Sequence, residues 1–120
     1  GKSVEQVAEE TREQKVALLR NVPVQGIHIQ DIDMSSDIYT VIDEFTGQPV
    51  GYAPVIVTLN ADSLDEVVGF IMKEEFRKIE VLEPEFVSLN RIDMERLLFR
   101  VNEELKMYKA YLEKKLEYWK

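Results

Sequence analysis

Apolar and polar positions follow two periods along this chain, and the switches between them separate helical from extended stretches. Over residues 2–20, Val4, Val7, Ala8, Leu18 and Leu19 stand among charged residues at helical spacing, and Ser3 followed by Gln6 makes a capping box. The middle of that helix, residues 9–15, is almost wholly polar, so its packing face is weak there. Pro23 ends it, because proline offers no amide hydrogen and its ring pushes Val22 out of helical geometry.

Period two takes over next. Ile27 and Ile29 alternate with His28 and Gln30 within 24–33, and residues 38–45 gather Tyr39, Thr40, Val41 and Ile42, so two strands are expected. The polar break 34–37 has the length of a hairpin loop, and 46–49 supplies the following turn, where Gly47 is free to take a positive φ. In 55–59, Val55, Val57 and Leu59 share one side and Ile56 adds an apolar residue opposite, the pattern of a central strand. Ser63 with Glu66 forms a second capping box, and Leu64, Val67, Val68, Ile71 and Met72 predict a helix to about residue 75 that covers a sheet face. Ile79, Val81 and Leu82 read as a short strand closed by Pro84.

The rest is helical. Asn90 or Asp93 caps it, and Met94, Leu98, Val101, Leu105, Tyr108 and Leu112 follow alternating steps of four and three, a heptad seam that Lys115 interrupts and Trp119 resumes. A helix of about 27 residues runs to ~40 Å, longer than a small sheet can cover. Its distal end carries Tyr108, Tyr111, Leu112, Leu116, Tyr118 and Trp119, side chains suited to buried contacts. Two surfaces can receive it: the first helix, or a second copy of the chain. These elements predict one α+β domain over 1–120, with a mainly antiparallel four-stranded sheet, one packed helix and long terminal helices.

Composition narrows the function classes. Of 120 residues, 15 are basic and 23 acidic, giving a net charge of −8, with 45% hydrophobic and 32% charged residues. That is the balance of a folded domain, and its acidity disfavours direct nucleic-acid binding, which depends on Lys and Arg displacing counterions. The absence of cysteine removes disulfides, thiolate metal sites and cysteine nucleophiles. Neither a bilayer-spanning run nor a signal-peptide layout is present, and a cytoplasmic location is expected. The opening Gly-Lys-Ser without methionine fits a piece excised from a longer chain, with Gly1 left by tag removal.

Candidate chemistry is sparse. Gly1-Lys2-Ser3 imitates the end of a phosphate-binding loop but lacks the preceding strand and glycine-rich turn, so a helix cap is the expectation. His28 is the only histidine; Asp31, Asp33 and Asp37 lie near it in sequence, yet strand alternation puts His28 on the face opposite Asp31 and Asp33. Those aspartates also lack the central glycine and terminal glutamate of an EF-hand. No Gly-x-Ser-x-Gly elbow accompanies the histidine, and Glu9-Glu10, Glu74-Glu75 and Glu103-Glu104 read as solvated charge. Lys106, Lys109, Lys114, Lys115 and Lys120 complement the negative end of the last helix dipole. The loop 46–54 holds two glycines, two prolines and an aromatic; Gly47, Gly51 and Tyr52 are candidates for a small-molecule ligand, with a stiff hairpin connection as the plain alternative. No catalytic residue, metal site or cofactor is assigned.

The order strand, helix, strand with Val81-Leu82-Glu83-Pro84, then long helix resembles the C-terminal extension of WYL-domain transcriptional regulators over residues 55–108. The helix-turn-helix and WYL core of that family are missing. The resemblance implies a ferredoxin-like or ACT-like fold and a regulatory or oligomerisation module. The expected function is thus a non-enzymatic regulatory or protein-interaction module, associating as a homodimer or with a protein partner through Leu98, Val101, Leu105, Tyr108, Leu112 and Trp119. The alternative is an ACT-like sensor holding a metabolite near 46–54.

Overall fold

A computed structural model describes residues 1–73 and 76–118. Its elements run α1 (Val4–Asn21), β1 (Ile27–Asp33), β2 (Tyr39–Ile42), β3 (Pro49–Tyr52), β4 (Ile56–Ala61), α2 (Leu64–Ile71) and α3 (Arg91–Tyr118), an α+β chain. Contacts cluster into two units, Gly1–Asn60 and Ala61–Lys120. The strands form two two-stranded sheets, β1 with β4 and β2 with β3, in place of the single four-stranded sheet expected. β4 consequently has one neighbour and is not a central strand: an apolar run shows that a strand is covered, not how many strands flank it.

In the first unit, α1 starts as its capping box requires. The Gln6 amide donates to Ser3 Oγ at 3.1 Å, and the Ser3 amide donates to Gln6 Oε1 at 2.9 Å. It stops at Asn21, with Val22 extended before Pro23. Ala8 and Val16, eight residues apart on one face, are buried, and α1 lies on β3 and β2. Its polar middle is put to use: Arg12 Nη1 donates to the Ser36 carbonyl at 3.0 Å and the Pro54 carbonyl at 3.4 Å. Near its start, Thr40 Oγ1 donates to Glu5 Oε1 at 3.0 Å.

The hairpin joins β2 to β3, pairing Tyr39 with Tyr52 and Thr40 with Gly51 in antiparallel register. The turn expected at 46–49 is thus present, over 43–48, whereas the hairpin expected at 34–37 does not form because β1 pairs with β4. Gly47 adopts φ 70°, its amide donates to the Asp43 carbonyl at 2.8 Å, and the Asp43 amide donates to the Gln48 carbonyl at 2.9 Å. Asp43 Oδ1 also accepts from the Phe45 amide at 2.8 Å. Residues 34–37 lead from one sheet to the other.

In the second unit α2 packs on α3, whereas a sheet face was the expected partner. Gly69 and Phe70 are its buried residues. The expected Ser63–Glu66 box does not form, since the Ser63 side chain makes no cap hydrogen bond, and α2 ends at Ile71; Glu75, the expected limit, lies outside the described residues. The cap of α3 does form: the Asp93 amide donates to Asn90 Oδ1 at 2.8 Å, and the Asn90 amide to Asp93 Oδ2 at 3.3 Å. The strand expected at Ile79, Val81 and Leu82 is absent; these residues are exposed with no ladder. Val81 and Leu82 are adjacent, so in a strand they would face opposite ways and need cover on both sides.

Candidate functional site

α3 has 28 residues and α2 has eight, so at 1.5 Å per residue they measure about 42 Å and 12 Å. The shorter helix shelters only one stripe on the first half of the longer one. Asp93, Leu97, Arg100, Val101 and Glu104 lie partly or wholly covered there, and residues 105–117 are exposed throughout. A β-carbon on Gly69 would overlap the Arg100 guanidinium, so the absence of a side chain at 69 is what seats Arg100 against α2. Arg100 Nε donates to Glu104 Oε1 at 3.1 Å, and Glu104 is only 5% exposed.

The heptad seam lies on a neighbouring face. Met94, Leu98, Leu105, Tyr108 and Leu112 are exposed, with Leu98 at 70% and Leu105 at 54%. Val101 is half-buried and belongs to both stripes. At 100° per residue the seam is centred roughly 90° around the helix from the α2-covered stripe. Residues 94–112 thus present aligned apolar side chains along about 27 Å, while Ile92, Phe99 and Met107 are exposed on other faces of the same helix. Lys115 Nζ sits 5.7 Å from the centre of the Tyr111 ring. Trp119, the remaining expected contact, lies outside the described residues.

The α2-facing stripe escaped the sequence reading. Its centre is an Arg–Glu pair four residues apart, the type of pair normally solvated on a helix surface. The signal was available in Gly69, a residue unfavourable inside a helix that here makes room for Arg100.

The other candidate residues are held by the protein's own parts. Gly47 shapes the hairpin turn, with nothing near its position. A β-carbon on Gly51 would fall 2.7 Å from the Val4 carbonyl oxygen and 3.2 Å from Ala8 Cβ, so α1 occupies the close approach that this glycine allows. The Tyr52 ring lies 5.4 Å from that of Tyr39, tilted by 33°. Ser3 is the cap of α1 and Lys2 pairs with Glu10 at 2.8 Å. His28 is exposed on β1, and among the described residues no group of His, Asp and Glu is placed to hold a metal ion. Asp33 has its carboxyl held below the usual range by the Ser35 hydroxyl and amide, which both donate to it. A shallow groove of about 320 Å³ between the end of α1 and β1, lined by Leu19, Val22, Pro23, Val24, Ile27 and Ile29 among others, contains none of these residues.

Among the described residues no helix is long and apolar enough to cross a membrane. Comparison with protein-family models, with curated proteins and with solved structures finds no match. The likeness of residues 55–108 to WYL-regulator extensions therefore rests on the sequence pattern alone.

Proposed function

We propose that this chain is a non-enzymatic interaction module, of regulatory or oligomerising kind, that docks a partner helix along the apolar seam of α3. One observation carries the reading: Leu98, Leu105, Tyr108 and Leu112 are aligned and exposed on a helix that extends well past its intrachain cover. Burying such a stripe releases ordered water and is the usual driving force of helix association. A regulatory or oligomerising role is also what the WYL likeness implies.

Site-specific photocrosslinking in the expressing cell tests the reading without naming the partner. A benzophenone amino acid at Leu98 or Leu105 is expected to give a discrete crosslinked protein band, whereas the same group at Glu103, on the face opposite the seam, gives none. Equal labelling at all three positions, or no band from the seam, overturns the proposal.

A further inference from the structure

Resting on the reading of α3 as a docking helix, the geometry points to its occupant: we infer that the seam pairs with the α3 of a second copy, antiparallel, about a two-fold axis level with Glu103. The charges of the helix make it complementary to itself in that direction only. Residues 91–104 carry three basic and four acidic side chains, and residues 105–118 carry four basic and two acidic. Antiparallel pairing sets each acidic half beside a lysine-rich half and opposes the helix dipoles. Parallel pairing would place the lysine-rich halves together.

The side chains agree in register. In an antiparallel pair, core residues at one level have numbers of constant sum, and an axis level with Glu103 sets Met94 opposite Leu112, Leu98 opposite Tyr108 and Val101 opposite Leu105 of the other copy. Every described seam position then meets an apolar partner. The paired stretch ends at Leu112, which leaves the seam-breaking Lys115 outside it. Along the exposed flank away from α2, Glu95 and Lys109 are two heptads apart and Asn102 lies midway. Flanking positions in an antiparallel pair meet about two residues off the core level, so the same register sets Glu95 against Lys109 of the other copy twice over. Asn102 then faces itself, as an amide can because it both donates and accepts.

Sedimentation velocity on the full chain, combined with charge exchange, tests the inference. Wild type is expected to dimerise reversibly between about 1 and 300 µM, the range of a modest interface. Glu95→Lys and Lys109→Glu, taken singly, should each weaken the dimer about tenfold at low salt, since each converts two flanking attractions into repulsions. The double exchange in one chain should restore the wild-type affinity. The two residues are about 21 Å apart along one helix, so rescue requires contact between copies. Because the chain has no cysteine, an oxidised mixture of Glu95→Cys and Lys109→Cys proteins should yield chiefly the mixed disulfide. A chain that stays monomeric throughout, with photocrosslinks from Leu105 to another protein, overturns the second copy as occupant while the docking reading stands. A dimer without rescue, or one in which Glu95→Cys links mainly to itself, overturns the antiparallel register.

Discussion

Gly51→Ala isolates the closest packing in the first unit. The added methyl would sit 2.7 Å from the Val4 carbonyl oxygen and 2.8 Å from Val4 Cγ1, with Ala8 Cβ at 3.2 Å. The side-chain atom can rotate away, but the carbonyl belongs to the first turn of α1 and moves only with the helix. Restoring ordinary contact requires α1 to withdraw from β3 by more than half an ångström, and overpacking of this kind costs about 1–3 kcal/mol. Stiffening the unfolded chain returns about 0.4–1 kcal/mol, leaving a net loss of about 1–2 kcal/mol. For a 60-residue unit that corresponds to a melting point lower by roughly 5–15 °C. Thermal unfolding gives the shift, and amide exchange on peptides from α1 locates it. Val4→Ala combined with Gly51→Ala should recover only part of the loss, since the carbonyl remains. A Gly51→Ala protein that melts at or above the wild-type temperature, with α1 equally protected, would refute the helix-on-strand account of this glycine.

Two further predictions concern polar groups. Glu104→Ala leaves Arg100 seated at Gly69 without its acceptor and should cost about 2 kcal/mol in urea unfolding, discounted from the fully buried case because Arg100 keeps some solvent. Arg100→Met with Glu104→Leu should regain most of it, and a silent single variant would contradict the role of the pair. Glu5 has its carboxyl held below its ordinary value of 4.5 by a backbone amide of the first turn and by the Thr40 hydroxyl, and Asp33 has its own held below 3.8 by Ser35. Depressed folded values mean that their stabilisation is complete above the ordinary carboxylate range and lost as pH falls through the lower folded values. Thr40→Val should therefore raise the pH of acid unfolding; an unchanged midpoint would show that the Thr40 contact does not stabilise the fold.

Much of the fold was legible in local chemistry. The Ser3–Gln6 box, the stop at Pro23, the positive φ of Gly47 and the Asn90–Asp93 cap each depend on residues within a few positions of one another, and each appears where the pattern places it. Pairing was not legible. β1 finds β4 across the whole β2–β3 hairpin, and β3, which includes Pro49 and Gly51, hides in a stretch that reads as a loop. Nothing local distinguishes one four-stranded sheet from two pairs, because strand partners are chosen by long-range cover. Gly51 shows the same limit: its need for space was evident, but that α1 fills the space was not. On α3 the exposed seam was legible from spacing, while the covered stripe was disguised by its charges.

That disguise bears on how α3 works. Its intrachain partner covers Arg100 and Glu104, whereas Leu98, Leu105 and Leu112 face water, the reverse of how a helix with only one partner distributes its side chains. A covered ion pair contributes little net stability, because desolvation consumes most of the attraction, so the α2–α3 contact is a weak reason for the helix to be so long. The seam supplies the stronger reason. A second helix laid about 90° from α2 would bury the leucines and share Val101 with α2, and the two α2–α3 pairs together would make a four-helix arrangement in which both stripes turn inward. Arg100 and Glu104 would then stay covered by α2, fixing its position on α3 while the apolar seam provides the affinity.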